Sequence, residues 1–282
     1  MPTLEDYKGR IPAWCPGCGN FSILKAFNEA MVELSIEPHE FLIVSGIGQA
    51  GKFPHYTKCN TFNGLHGRTL PVATGVKLAN HKLKVFAVAG DGDCYGEGGN
   101  HLVHAIRRNL DIKLFVHDNQ IYGLTKGQAS PTTMKGIVTK TQPFGVFSEQ
   151  FNSITLAVAL NCSFVARGFA GDIDHLKTLI KEAVNHKGFS LIDILQPCVS
   201  FNKINTFDWY KQRVYKLDES YNPTDREVAF KKSLEWGDRI PLGVIYKTER
   251  PIFEEQFSVI KDFVLVKQKF NLNISEILQE FY

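Results

Sequence analysis

No apolar run in this 282-residue chain approaches the roughly 18 residues that cross a bilayer, so no membrane span is expected. The opening Met1-Pro2-Thr3-Leu4-Glu5-Asp6 lacks the apolar stretch of a signal peptide, which points to a reducing cytoplasm. Neither sign of charge dominates, and a net charge of +3 is too small to argue for a nucleic-acid partner. No GxxxxGKS or GxxxxGKT stretch occurs, so a Walker-type phosphate loop is absent. Gly90-Asp91-Gly92-Asp93-Cys94-Tyr95 lacks the third glycine of a dinucleotide fingerprint. Cysteine is sparse: there are 6, with one CxxC pair where a zinc ribbon uses two. Nothing suggests secretion, so a disulfide network is not expected. There is no internal repeat and no low-complexity tract. The 44% apolar content is ordinary for a globular chain, of a length for one large domain or two small ones.

What is present alternates between two periods. Residues 21–34 read as a helix, with Phe21, Leu24, Phe27, Met31 and Leu34 on one face. Phe41-Leu42-Ile43-Val44 reads as a strand, and Pro71 begins a helix reaching about residue 80. A short strand over 164–167 follows. Asp172 caps a helix with Ile173, Leu176, Leu179, Ile180, Ala183 and Val184 on its core face. Gly188 closes that helix, and 189–195 is the next strand. Such alternation predicts an α/β fold, a parallel sheet with helices on both faces. Residues 1–200 are assigned to that domain. After about 201 aromatics mix with charges, 238–244 looks extended, and a short helix is expected over 274–281. Residues 201–282 are therefore read as an arm or tail over the core and a partner, with core completion by the aromatics as the alternative.

The chemistry concentrates at two strand ends. Lys84-Val85-Phe86-Ala87-Val88-Ala89 reads as a buried strand ending in Gly90-Asp91-Gly92, whose glycines allow close backbone approach to a ligand. A helix opening at Gly99 carries Leu102, Val103, Ile106 and Leu110 on one face. The strand from Ile112 then ends in Asp118-Asn119. If the two strands are parallel neighbours, Asp91 and Asn119 meet at the carboxyl edge, where open α/β sheets bind ligands. Two such oxygens suit Mg²⁺ holding a diphosphate. A Gly-Asp-Gly turn alone often merely turns; the full strand–GDG–helix–strand–Asn order is far more specific.

The cysteines are Cys15, Cys18, Cys59, Cys94, Cys162 and Cys198. Cys15-Pro16-Gly17-Cys18 spaces two thiolates for one metal centre, and Cys198 follows a strand to the same carboxyl edge. Cys94 and Cys162 read as small buried hydrophobes.

These stretches resemble the β subunit of the 2-oxoacid:ferredoxin oxidoreductases over about residues 10–215. The likeness rests on Trp14-Cys15-Pro16-Gly17-Cys18-Gly19-Asn20, Ser45-Gly46-Ile47-Gly48, Leu65-His66-Gly67-Arg68 and Gly90-Asp91-Gly92-Asp93. It extends through Asn119-Gln120-Ile121-Tyr122-Gly123-Leu124-Thr125-Lys126-Gly127-Gln128 and Gln196-Pro197-Cys198. The resemblance implies a thiamine-diphosphate-binding fold, with Mg²⁺ on Asp91, Asn119 and Ile121. It implies thiamine-diphosphate contacts from Ser45, Gly46, Ile47, Gly48, His66, Gly90, Gly92, Asp93, Tyr122, Gly123, Leu124 and Thr125. It also implies a 4Fe–4S cluster on Cys15, Cys18 and Cys198. In the family's archaeal members a cluster cysteine directly follows Ser-Gly-Ile-Gly, where this chain has Gln49. Cys59, ten residues on, is taken as the fourth ligand; an ordinary loop thiol, a non-cysteine ligand and a three-cysteine cluster are the alternatives.

By the same resemblance, coenzyme A and ferredoxin are the other reactants. Decarboxylation of a 2-oxoacid leaves a carbanion for which the thiazolium ylid is the electron sink. No ylid-activating glutamate stands in a suitable motif here; the resemblance implies that a separate α subunit supplies it. Lys126, Lys52 and His66 are the candidates to meet substrate, against ordinary surface lysines and a structural histidine. The substrate leans to 2-oxoglutarate, with pyruvate or a broader set next. A non-oxidative thiamine decarboxylase or carboligase and a zinc-binding module are the rival readings.

Overall fold

The computed structural model describes residues 1–268 and 274–281. Its strands are β1 (Phe41–Ser45), β2 (Asn60–Asn63), β3 (Lys84–Gly90), β4 (Ile112–Asp118), β5 (Phe164–Phe169), β6 (Ser190–Leu195), β7 (Val214–Lys216) and β8 (Ile240–Lys247). They form one sheet in the order β2-β1-β3-β4-β6-β5-β8-β7. Every pairing is parallel except β5 with β8.

Helices cover both faces because both faces of the central strands are apolar, as buried parallel strands require. On β3, Phe86 and Val88 face one core, while Val85, Ala87 and Ala89 face the other. The first core is closed by α1 (Gly19–Glu33) and α5 (Ile173–Asn185). The second is closed by α2 (Thr69–Ala79), α3 (Gly99–Arg108) and α4 (Ser153–Ala159). The expected Asp172 cap is present, its side chain accepting from the His175 amide at 3.1 Å. No helix of the described residues is long and apolar enough to cross a membrane.

The segment after residue 200 does more than overlie the core. β8 extends the sheet, and a third small cluster gathers the buried Tyr210, Ile240 and Leu242 around Phe169. The terminal helix spans Ile274–Gln279.

The topology itself creates a crevice. The chain leaves β1 towards β2 on one side, whereas it leaves β3 towards β4 on the other. Loops that diverge at such a switch point leave space between them at the carboxyl ends of the strands.

One aromatic cluster fixes the wall below that crevice. Phe27 of α1 meets Phe41, Phe53 and Phe86 edge-on, with centroids 5.9, 5.4 and 5.2 Å away. Offset and edge contacts of this kind add to the burial itself. Phe27→Ala should therefore cost about 3–5 kcal/mol, read from denaturant unfolding. A loss below about 1 kcal/mol would show that the cluster relaxes into the gap.

Candidate functional site

Three loops line one cavity at the crevice. The loop after β1 gives Ile47, Gly48, Gln49 and Ala50, the turn after β3 gives Gly90 to Asp93, and the loop after β4 gives Asn119 and Ile121 to Thr125, with His66 at the rim. Gly90 pairs with His117, so β3 and β4 are parallel neighbours and Asp91 and Asn119 stand side by side at the carboxyl edge, as the spacing predicts.

Asp91 is buried, and two side-chain hydroxyls converge on one of its oxygens. Its Oδ2 accepts from Ser130 Oγ at 2.5 Å and Thr132 Oγ1 at 2.6 Å. Thr132 Oγ1 also lies 2.8 Å from Asp118 Oδ1. A hydroxyl has one proton to give, so Thr132 cannot donate in full to both carboxyls. Burial, with the Asp193 and Asp91 charges nearby, pushes Asp118 well above the usual carboxylate range. Of the two, Asp118 is the one pushed further towards its neutral form. The turn beyond is set by Gln120, whose φ is +59°. Asn119 Oδ1 there accepts from the Ile121 amide at 3.0 Å.

Asp93 has a different role from Asp91. Its Oδ1 accepts from the Ile47 amide at 3.1 Å and the Gly67 amide at 2.8 Å, and its Oδ2 from Thr69 Oγ1 at 3.1 Å. A Cβ on Gly46 would sit 1.9 Å from the same Oδ2, which is why that position is glycine. Ser45 is buried, donating to the Gly51 carbonyl at 2.8 Å, so Ser45 and Gly46 support the cavity without lining it. Gly92 faces the Tyr122 ring, which a Cβ would approach to 2.2 Å, so the room it leaves is filled by protein. His66 Nδ1 is 3.8 Å from Asp93 Oδ1.

Cys15, Cys18 and Cys198 line a second, smaller cavity with Trp14, Gln196 and Ser200. Gln49, Asn119 and Gly123 line both cavities, so the two share a wall. Ser200 Oγ donates to Cys15 Sγ at 3.0 Å. Burial pushes the Cys18 thiol up to about 11, and the neighbouring Cys198 and Cys15 add to that rise. Among the described residues, no three His, Cys, Asp or Glu side chains stand close enough to hold a single metal ion.

Cys59 is not part of this group. It precedes β2, whose Asn60 pairs with Leu42, so it lies level with the start of β1 at the amino edge of the sheet. The length of β2 separates it from the carboxyl edge, roughly 13 Å at the usual rise per residue. Its sulfur lies 4.0 Å from the Thr57 carbonyl, and burial pushes the thiol up to about 12. The expectation that it completes the ligand set is corrected on that geometry. Cys94 and Cys162 are buried in the core on the α2–α4 face, as small hydrophobes are.

Lys126 lines an open groove with Ile121, Lys140, Phe201 and Lys203, next to the cavity rather than in it. Lys52 is half-buried and lines neither cavity. Ser130 and Thr132, which hold Asp91, went unread in the sequence. They lie in an irregular stretch where no periodicity or motif ties them to a turn some forty residues earlier.

Comparison with known proteins agrees with this geometry. The thiamine pyrophosphate enzyme C-terminal binding domain pattern matches residues 46–194, which covers the cavity loops. The pattern for the C-terminal part of the pyruvate ferredoxin oxidoreductase β subunit matches residues 198–262. A 2-oxoacid:ferredoxin oxidoreductase β subunit from Sulfolobus sp. is 48% identical over 86% of this chain and 84% of its own length. A 2-oxoglutarate synthase subunit from Archaeoglobus fulgidus is 36% identical over 89% of this chain and 90% of its own. The solved 2-oxoglutarate:ferredoxin oxidoreductase from Magnetococcus marinus superposes with a TM-score of 0.92 at 34% identity, over 100% of this chain and 96% of that one. The fold is thus that of a thiamine-pyrophosphate enzyme. The chain belongs to the β subunits of the 2-oxoacid:ferredoxin oxidoreductases, an oxidoreductase family.

The buried Asp91 gives a pH prediction. Burial pushes its carboxyl from 3.8 up to about 6, against the pull of the Ser130 and Thr132 hydroxyls. A carboxyl whose folded pKa lies above its unfolded value stabilises the fold fully below about pH 4, and that contribution is lost as pH rises through about 6. Measured against Asp91→Asn in denaturant unfolding, the ligand-free protein should lose about 2 kcal/mol between pH 4 and 7. A difference between the two that stays constant with pH would refute the assignment.

Proposed function

We propose that this chain is the diphosphate-binding and electron-removing half of a coenzyme A-dependent 2-oxoacid oxidation. The observation that carries the reading is the shared wall: the Asp91–Asn119 cavity and the three-thiol cavity meet at Gln49, Asn119 and Gly123. Asp91 is a hard oxygen donor at the cavity, its carboxylate fixed by two hydroxyls on Oδ2, which suits a hard cation. Asp91, Asn119 and the Ile121 carbonyl would hold Mg²⁺. The loops 47–48 and 122–125 would hold thiamine diphosphate, which supplies an electron sink for decarboxylation when bound. Cys15, Cys18 and Cys198 would hold a 4Fe–4S cluster on three of its sides, a one-electron carrier towards ferredoxin.

This chain's own residues would bind, orient and screen. His66 would present its imidazole at the rim of the cavity. Lys126 and Lys52 stay candidates for meeting the substrate carboxylate, from the groove and from the turn beyond Gln49. The substrate reading favours 2-oxoglutarate, because a relative is named a 2-oxoglutarate synthase subunit. The Magnetococcus neighbour was solved with 2-oxoglutarate, coenzyme A and succinyl-CoA bound. The named relatives are β subunits, and an α subunit would supply the ylid-activating glutamate and pack against the stretch after residue 200. A 2-oxoacid panel with coenzyme A and a ferredoxin-like acceptor, run on the co-purified complex, tests substrate and reaction together. Acceptor reduction should be fastest with 2-oxoglutarate, and CO₂ release without it would favour a non-oxidative enzyme.

The split site has two measurable consequences. Asp91→Ala should abolish Mg²⁺-dependent thiamine-diphosphate binding with the fold retained; calorimetry showing unchanged affinity would remove the metal assignment. The chain purified alone should oxidise no 2-oxoacid, and turnover by single-chain protein would place the missing glutamate here.

A further inference from the structure

We propose that the thiol cavity holds its cluster by three thiolates only, with the iron at the fourth corner exchangeable and the Gln49 side chain beside it on the thiamine side. This rests on the iron–sulfur reading above and specifies its ligand set. All six cysteines are placed: Cys15, Cys18 and Cys198 share the cavity, Cys59 lies at the opposite edge of the sheet, and Cys94 and Cys162 are in the core.

Gln49 forms the wall that a fourth thiolate would need. Its Cγ and the Cys198 sulfur each lie 3.9 Å from the point where a side chain on Gly123 would begin, so both sit beside that glycine. Its Oε1 is buried and without a hydrogen-bond partner. The loop is tied to the CxxC segment, since Trp14 Nε1 donates to the Gln49 carbonyl at 2.9 Å. A neutral amide is a poorer partner for cluster iron than a soft thiolate. Cubane clusters are ordinarily held by four thiolates, so the iron without one is the iron that leaves.

The leaving step balances with a one-electron oxidant. A 4Fe–4S cluster in its 2+ state gives a 3Fe–4S cluster in its 1+ state, one Fe²⁺ and one electron, which ferricyanide accepts to become ferrocyanide.

The test uses the anaerobically prepared complex of this chain with its partner subunit. On ferricyanide titration, iron should fall from about four to about three per cluster and a three-iron spin-resonance signal should appear, reversed by Fe²⁺ with dithionite. Gln49→Cys should hold all four irons through the same titration. Gln49→Ala and Cys59→Ser should lose one iron as the wild type does, with circular dichroism and melting confirming that each variant is folded. Wild-type protein that keeps four irons, Gln49→Cys that still loses one, or Cys59→Ser that alters the loss would each overturn the proposal. Absence of iron from the complex would overturn the cluster reading as well, whereas retained iron would overturn only the three-thiolate ligation.

Discussion

One buried carboxylate holds together the loops that make the site. Asp93 accepts hydrogen bonds from the Ile47 and Gly67 amides and the Thr69 hydroxyl, and so joins the loop after β1, the turn before α2 and the turn after β3. Hydrogen bonds to a charged acceptor contribute about 1.5–3 kcal/mol each, more than neutral ones. Without them, two glycine-rich loops that leave the sheet in opposite directions would have little to fix their spacing. The same requirement explains Gly46 and Gly67, where a Cβ would collide with Asp93 and with Glu97 respectively. These glycines are dictated by protein packing, and the cavity is what remains when that packing is satisfied.

A second carboxylate, two residues earlier, stays available because its surroundings are arranged the other way. Asp91 is held by side-chain hydroxyls on one oxygen, while burial raises Asp118 behind it well above the usual carboxylate range, which favours its neutral form. Two ionised carboxylates joined through one hydroxyl would repel each other in a buried setting. Keeping Asp118 neutral lets Asp91 be the anion that faces the cavity. In Gly90-Asp91-Gly92-Asp93 the two acidic residues look alike, yet Asp93 clamps protein loops while Asp91 is held by hydroxyls at the wall of the cavity.

Much of this was legible in the sequence. The alternation of apolar strands and amphipathic helices specified a parallel sheet, and the Gly-Asp-Gly and Asp-Asn endings specified where its ligand edge lies. The thiols of Cys15, Cys18 and Cys198 came together because each sits just past a structural boundary at that edge: ahead of α1, at its N-cap, or after β6. What was not legible depended on contacts between distant irregular segments. Ser130 and Thr132 reach Asp91 from a loop with no periodicity, and Asp93 resembles a ligand until the amides that surround it are known.

Cys59 shows why sequence proximity misleads in a parallel sheet. It follows Gln49 by only ten residues. A strand parallel to its predecessor, however, must start at the edge opposite the one where that predecessor ended. The chain leaves β1 at the carboxyl edge, passes the Gln49 loop, and returns to the amino edge before Asn60 pairs with Leu42. Any residue directly preceding β2 is carried away from the site by that return. The residue that the loop after β1 presents to the thiol cavity is Gln49, which carries no thiol. The number of thiols at this cavity is thus set by the parallel connection: the chain has six cysteines, and its topology brings three of them to one edge.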